Sequence, residues 1–138
     1  MADNHSVLEG DLIIKTAMDT WGRIDILINN AGVAPVGPFR FRKDEDWNTC
    51  IDTHLFGAFK CTRAAWDFMR QQGYGRIVNT SSVAGLHGGE GLVDYSTAKS
   101  GVNGFTQSLA IEGKKRNIFT NTICPMADTR MLQMLKRP

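Results

Sequence analysis

Three short β-branched runs, residues 24–28, 76–80 and 117–123, are separated by stretches long enough for a helix, and a further helical stretch precedes the first. The first run, Ile24-Asp25-Ile26-Leu27-Ile28, is nearly continuous in apolar character, as expected of a strand buried on both sides. Parallel neighbours can be joined only by a long crossover, and each gap here carries helical spacing. The order α-β-α-β-α-β therefore predicts an α/β chain with a parallel sheet covered on both faces. In such sheets ligands bind beyond the carboxyl ends of the strands. Residues 29–32, 81–85 and 125–129 follow strand ends and would share that rim.

The punctuation between elements is also readable. Ser6-Val7-Leu8-Glu9 forms a capping box, and Leu8, Ile13, Ile14, Ala17 and Trp21 keep roughly helical spacing up to Gly22. Asp44 is a plausible N-cap for one long amphipathic helix over 45–71, carried by Trp47, Ile51, Leu55, Ala58, Ala65, Trp66 and Met69. Gly73-Tyr74-Gly75 breaks it. A glycine-rich loop with Gly85, Gly88, Gly89 and Gly91 leads into a third helix over 92–112, which Gly113 is expected to stop. Pro125 ends the last strand, and 128–135 has weak helical character.

Composition bounds the function. The 138 residues, 42% of them apolar, suit a single folded domain. A formal charge of +2 is too small to imply a nucleic-acid partner. The dense basic run Lys114-Lys115-Arg116 reads as a solvated helix end whose cations favour the negative end of the dipole. Cys50, Cys61 and Cys124 are odd in number and lack a C-x-x-C pair, against a disulfide framework or zinc ribbon. Cys50 and Cys61 read as buried thiols. His5 and His87 lack a second ligand at metal spacing, so no metal is assigned. No apolar stretch has the length of a membrane span, and neither end reads as a secretory or peroxisomal signal. A soluble intracellular protein is expected.

Tyr95 and Lys99 are four apart on the predicted third helix and share a face. A free phenol, with a pKa of about 10, is a weak base at neutral pH. A neighbouring ammonium lowers that value, giving a proton donor and acceptor for alcohol–ketone chemistry. Ser82 sits just past a strand end, where its hydroxyl could hold a substrate oxygen. Each feature alone has an ordinary reading: an incidental helix-surface pair, a turn serine, a plain Asn29-Asn30-Ala31-Gly32 turn. Their shared order along one rim argues for a site.

Asn29-Asn30-Ala31-Gly32, the set Ser82, Tyr95 and Lys99, and Pro125-x-x-x-Thr129 together resemble the motifs of the short-chain dehydrogenase/reductase family, over nearly the whole chain. More narrowly, Trp21-Gly22-Arg23-Ile24-Asp25, Thr62-Arg63-Ala64-Ala65-Trp66, Gly73-Tyr74-Gly75-Arg76-Ile77 and Ser108-Leu109-Ala110-Ile111-Glu112-Gly113 resemble the (3R)-hydroxyacyl-CoA dehydrogenase branch found in peroxisomal multifunctional enzymes. The resemblance implies a Rossmann-type doubly wound sheet of which 1–138 is a single, incomplete domain containing family strands 4-5-6. It implies NAD as cofactor, with NADP open, and an acyl-CoA-like substrate oxidised between the 3-hydroxy and 3-keto states in fatty-acid oxidation. A peroxisomal or cytoplasmic location follows by the same resemblance.

Carried over by motif, Tyr95 would be the general acid/base and Ser82 the holder of the substrate oxygen. Lys99 would lower the tyrosine pKa and bind the nicotinamide ribose. Asn30, Ala31 and Gly32 would line the cofactor cleft, Asp3 would lie near adenine, and Pro125 and Thr129 near the carboxamide. His54 stands where the family usually has a catalytic asparagine; it is either a fourth catalytic member or a packed or capping residue. Met126 stands where glycine commonly follows the proline.

The family's glycine-rich phosphate turn is expected to precede Met1, since Gly85 to Gly91 lacks the strand–turn–helix context. Without the neighbouring strand, the first strand here would be an open edge that rearranged packing or another chain covers. The family pairs subunits through its two long helices, so a homodimer through 45–71 and 93–112 is expected. Two functions stay open: an oxidoreductase, or a truncated non-catalytic member serving as an interaction subunit.

Overall fold

The structure, a computed structural model, describes residues 10–126. Its elements run α1 (Gly10–Trp21), β1 (Ile26–Asn29), a 3-10 turn (Phe39–Phe41), α2 (Asp44–Ile51), a π-helical turn (Asp52–Phe56), α3 (Gly57–Gln72), β2 (Gly75–Thr80), α4 (Ala84–His87), α5 (Val93–Gly113), a second 3-10 turn (Lys114–Arg116) and β3 (Ile118–Ile123). The strands form one parallel sheet in the order β1-β2-β3, with Leu27 beside Ile77 and Ile77 beside Thr120. The parallel α/β reading of the sequence holds.

One expectation does not. Right-handed crossovers that advance in a single direction along a sheet all fall on the same side. Accordingly α1, α3 and α5 bury Leu27, Ile77, Ile118 and Thr120, and a core forms with Ile14, Cys61, Ala65 and Met69. On the other face Ile26 and Ile28 are 60% and 62% exposed, and Phe119 and Ile123 are 44% and 45% exposed. Among the described residues the sheet is thus covered on one face, not two. These three strands advance in one direction, as expected of part of a Rossmann-type doubly wound sheet.

Local details also differ. Lys43 is the residue before α2, and Asp44 is instead its first helical residue. There Asp44, Glu45 and Asp46 place three carboxylates at the positive end of the helix dipole. The single long helix expected over 45–71 is interrupted by the π-helical turn at Asp52–Phe56, a one-residue slip too small for apolar spacing to reveal. Gly113 does not stop α5. It is buried, and a Cβ there would stand 2.5 Å from the Ile118 carbonyl, so it permits close passage of β3. The chain turns at Asn117, whose φ is 56°.

Gly22 and Gly73, with φ of 69° and 63°, do end α1 and α3 as expected. Cys50 and Cys61 are buried, and Lys114, Lys115 and Arg116 are exposed, both as expected. The short helix α4 lies within the expected glycine-rich loop. No helix among the described residues is long and apolar enough to cross a membrane. The capping box at 6–9 and the helical tail at 128–135 lie outside the described residues.

Candidate active site

The carboxyl ends of β1 and β2 are stitched to α5 by polar contacts. The Thr80 hydroxyl donates to Asn30 Oδ1 at 3.1 Å, and Lys99 Nζ donates to the Thr80 carbonyl at 2.6 Å. Ser81 Oγ donates to the Lys99 carbonyl at 2.9 Å. Beneath them, Asn29 Nδ2 donates to Thr62 Oγ1 and to Asn79 Oδ1, and Asn79 Nδ2 donates to Thr106 Oγ1. These internal bonds are what permit a wholly buried asparagine in the sheet. The two adjacent asparagines therefore divide their work: Asn29 ties β1 to the interior, and Asn30 faces a cleft. That cleft, of about 150 Å³, is lined among others by Asn30, Ala31, Thr53, His54, Thr80 and Lys99.

Tyr95 stands in the first turn of α5 and is half-buried. The Lys99 ammonium lies 5.5 Å from its ring centre, and the His54 ring meets it edge-on at 5.1 Å. Burial pushes the phenol above its ordinary pKa, and a hydrogen bond with Ser82 pulls it part-way back. Ser82 Oγ also accepts the Ala84 amide at 3.2 Å, which fixes the serine at the start of α4. Ser82, Tyr95, Lys99 and His54 are thus brought together. The expected depression of the tyrosine by Lys99 is not what this arrangement gives. Burial outweighs the other influences on the phenol, and Lys99, 3% exposed and donating to the Thr80 carbonyl, is itself held down to about 8 by burial.

His54 sits in the π-helical turn, 4% exposed. Its Nε2 lies 2.6 Å from the Val33 carbonyl and 3.2 Å from the Val33 amide, while Nδ1 is buried without a hydrogen-bond partner. With its proton on Nε2 the ring donates to that carbonyl and holds the turn that follows β1. Burial, then the Lys99 charge, lowers its pKa to about 4, so the ring is neutral near pH 7. Gly32 packs directly on it: a Cβ there would stand 2.5 Å from His54 Cε1.

Other expected site residues fare differently. Pro125 is exposed beyond β3, and no hydrogen bond ties it to Tyr95 or Lys99. Its neighbour Cys124 is a free, partly buried thiol. Asp3 and Thr129 lie outside the described residues. Sequence reasoning missed Thr80, whose only signal was its place as the last residue of a strand. It also missed Arg42 and Asp94, a buried pair 3.4 Å apart, 6% and 0% exposed, which carried no motif.

Comparison with known proteins decides the family. The profile of the short chain dehydrogenase family matches residues 3–137. The chain belongs to that family. This short-chain dehydrogenase sequence is 49% identical over 133 residues to a peroxisomal multifunctional enzyme type 2 of Mus musculus, covering 96% of the chain and 18% of the relative. It is also 49% identical over 138 residues to a peroxisomal hydratase-dehydrogenase-epimerase of Neurospora crassa, covering all of the chain and 15% of that relative. The chain thus spans under a fifth of the length of these two relatives. A solved short-chain dehydrogenase from Streptomyces avermitilis superposes with a TM-score of 0.84 at 31% identity, over 91% of this chain and 47% of the other. In this short-chain dehydrogenase the rim brings a phenol, a hydroxyl and an amine together, with the amine and polar side chains lining a cleft.

Proposed function

We propose that the chain forms the catalytic rim of an NAD-dependent oxidoreductase that interconverts a 3-hydroxyacyl-CoA and a 3-ketoacyl-CoA. The convergence of Ser82 and Lys99 on Tyr95, with Lys99 also lining the cleft, carries this reading. The cleft suits the nicotinamide-ribose end of the cofactor: Lys99 offers an amine, Thr80 and Asn30 offer polar groups, and the exposed Asn30-Ala31-Gly32 turn offers backbone. A bound nicotinamide supplies the hydride acceptor or donor. Ser82 then holds the substrate oxygen, Tyr95 exchanges its proton, and Lys99 binds the ribose while anchored on Thr80. His54 acts from below by holding the turn through Val33.

Several observations support the acyl substrate and the setting. The loop after β1 exposes Val36, Phe39 and Phe41, and α4 exposes Leu86, so apolar surface follows both strand ends. The relatives named above are peroxisomal and include a dehydrogenase by name, which supports a peroxisomal role in fatty-acid oxidation. A homodimer is supported by the apolar groove of about 210 Å³ that α3 and α5 form with Phe59, Trp66, Phe105 and Leu109.

The test is turnover of a (3R)-3-hydroxyacyl-CoA with NAD, with NADP run in parallel, in the native chain and Tyr95→Phe. Removal of a positioned general acid/base is expected to lower kcat by about 10²- to 10⁴-fold. A rate that survives Tyr95→Phe unchanged would overturn the assignment.

A further inference from the structure

We infer that Arg42 and Asp94 form a clamp that positions Tyr95, by locking the loop after β1 onto the N-terminus of α5; this rests on the reading of Tyr95 as the proton-transfer group. The guanidinium is the hub. Arg42 NH2 donates to the carbonyls of Pro35 at 3.3 Å, Gly37 at 3.2 Å and Gly91 at 2.8 Å. Its Nε faces Asp94 Oδ2 at 3.4 Å, a charge–charge contact without a hydrogen bond. The other carboxylate oxygen, Asp94 Oδ1, accepts the Tyr95 amide at 2.9 Å. One cation therefore reaches the loop after β1 through two carbonyls, the loop before α5 through one, and the Tyr95 backbone through one carboxylate.

The two loops also meet directly, with the Gly37 amide donating to the Gly91 carbonyl at 3.1 Å. Gly91 adopts φ of 71°, a conformation that presents this carbonyl to both Gly37 and Arg42 and that side-chain-bearing residues rarely adopt. The pair lies at the interface of α2 and α5, next to the buried Cys50. A buried ion pair is weak evidence of stabilisation, since an apolar pair of like size often serves as well. What an apolar pair could not do is bind three carbonyls from two loops. The planar guanidinium sets Nη2 on the carbonyls and Nε beside Asp94 at once, two positions that the single nitrogen of a lysine cannot both occupy.

The experiment compares the full chain with Arg42→Lys, and with the double variant Arg42→Met/Asp94→Asn, which leaves no charge stranded. All carry Tyr74→Phe, so that Tyr95 is the one remaining tyrosine. Three readouts are taken: amide hydrogen exchange of residues 33–43 against α3, phenolate absorbance of Tyr95 against pH, and kcat and KM with 3-hydroxyacyl-CoA. In the double variant, exchange in 33–43 should rise at least about tenfold while α3 keeps its protection, as expected when charge-assisted hydrogen bonds are lost locally. The Tyr95 titration should move down toward the free phenol as water enters, and kcat should fall more than KM rises. Arg42→Lys should not restore either signal, because it keeps the charge but has one nitrogen where Nη2 and Nε serve the carbonyls and Asp94 separately.

A double variant with native exchange and native Tyr95 titration would overturn the clamp. Absence of turnover in the native chain would instead count against the proposed reaction, and the clamp would then be judged on exchange and titration alone.

Discussion

His54 makes the stability of this fold sensitive to mild acid, and the size of the effect can be worked out. The ring is 4% exposed, and its pKa falls from an ordinary 6.5 to about 4. Between those values the unfolded chain binds a proton that the folded chain refuses. Stability must therefore fall as pH drops from about 6.5 towards 4, and level off below. At about 1.4 kcal/mol per pKa unit, the cost is about 2 kcal/mol at pH 5 and about 3 kcal/mol once the ring is forced to charge. Against a typical domain stability of about 5–15 kcal/mol that is a large share.

Urea denaturation followed by circular dichroism at pH 7 and pH 5 measures the difference. His54→Gln loses the ring contact with Tyr95 and is expected to be less stable than the native chain at pH 7. The decisive quantity is the change between the two pH values, because carboxylates common to both proteins cancel. The native chain should lose about 2 kcal/mol more than His54→Gln on that step. Equal losses would show that His54 is free to take up a proton in the fold, and would refute the burial argument.

Other substitutions probe the same geometry. Lys99, lowered from 10.5 to about 8, has the same sign of effect in a higher window: the unfolded chain keeps a proton the folded one loses, so stability should rise as pH climbs from about 8 to 10.5, and Lys99→Met should abolish the rise in a denaturation series. Gly32→Ala would drive a methyl into His54 Cε1, and a loss of about 1–3 kcal/mol is expected; wild-type stability would show that the turn can move away from the ring. Leu27 and Ile28 are adjacent, yet 8% and 62% exposed. Leu27→Ala should cost about 2–5 kcal/mol, whereas Ile28→Thr should stay within about 0.5 kcal/mol; similar costs in chemical denaturation would mean that the open sheet face is in fact covered.

The periodicity of the chain was enough to place strands and helices, because a buried strand and an amphipathic helix impose different spacings on apolar residues. Gly22 and Gly73 were legible as helix ends for the same local reason: the left-handed conformation they adopt is open to glycine in any context. Gly113 shows the limit. It looked like another helix stop, but the reason for a glycine there is the carbonyl of Ile118, which the sequence does not announce as a neighbour.

The site divides in the same way. Ser82, Tyr95 and Lys99 were legible because they fall at strand ends and at one-turn spacing on a helix, both properties of the linear chain. The direction of the Tyr95 shift was not, since it depends on how deeply the phenol is buried. Arg42 and Asp94 meet across 52 positions of sequence, so no spacing rule could join them. By itself the sequence determined the elements, their parallel order and the candidate site groups, because these follow from local periodicity and residue chemistry. Only the tertiary structure decided that the helices crowd one face of the sheet, that His54 is neutral and that Arg42 grips two loops. Those outcomes are set by burial and by contacts between distant segments, which exist only once the chain has closed on itself.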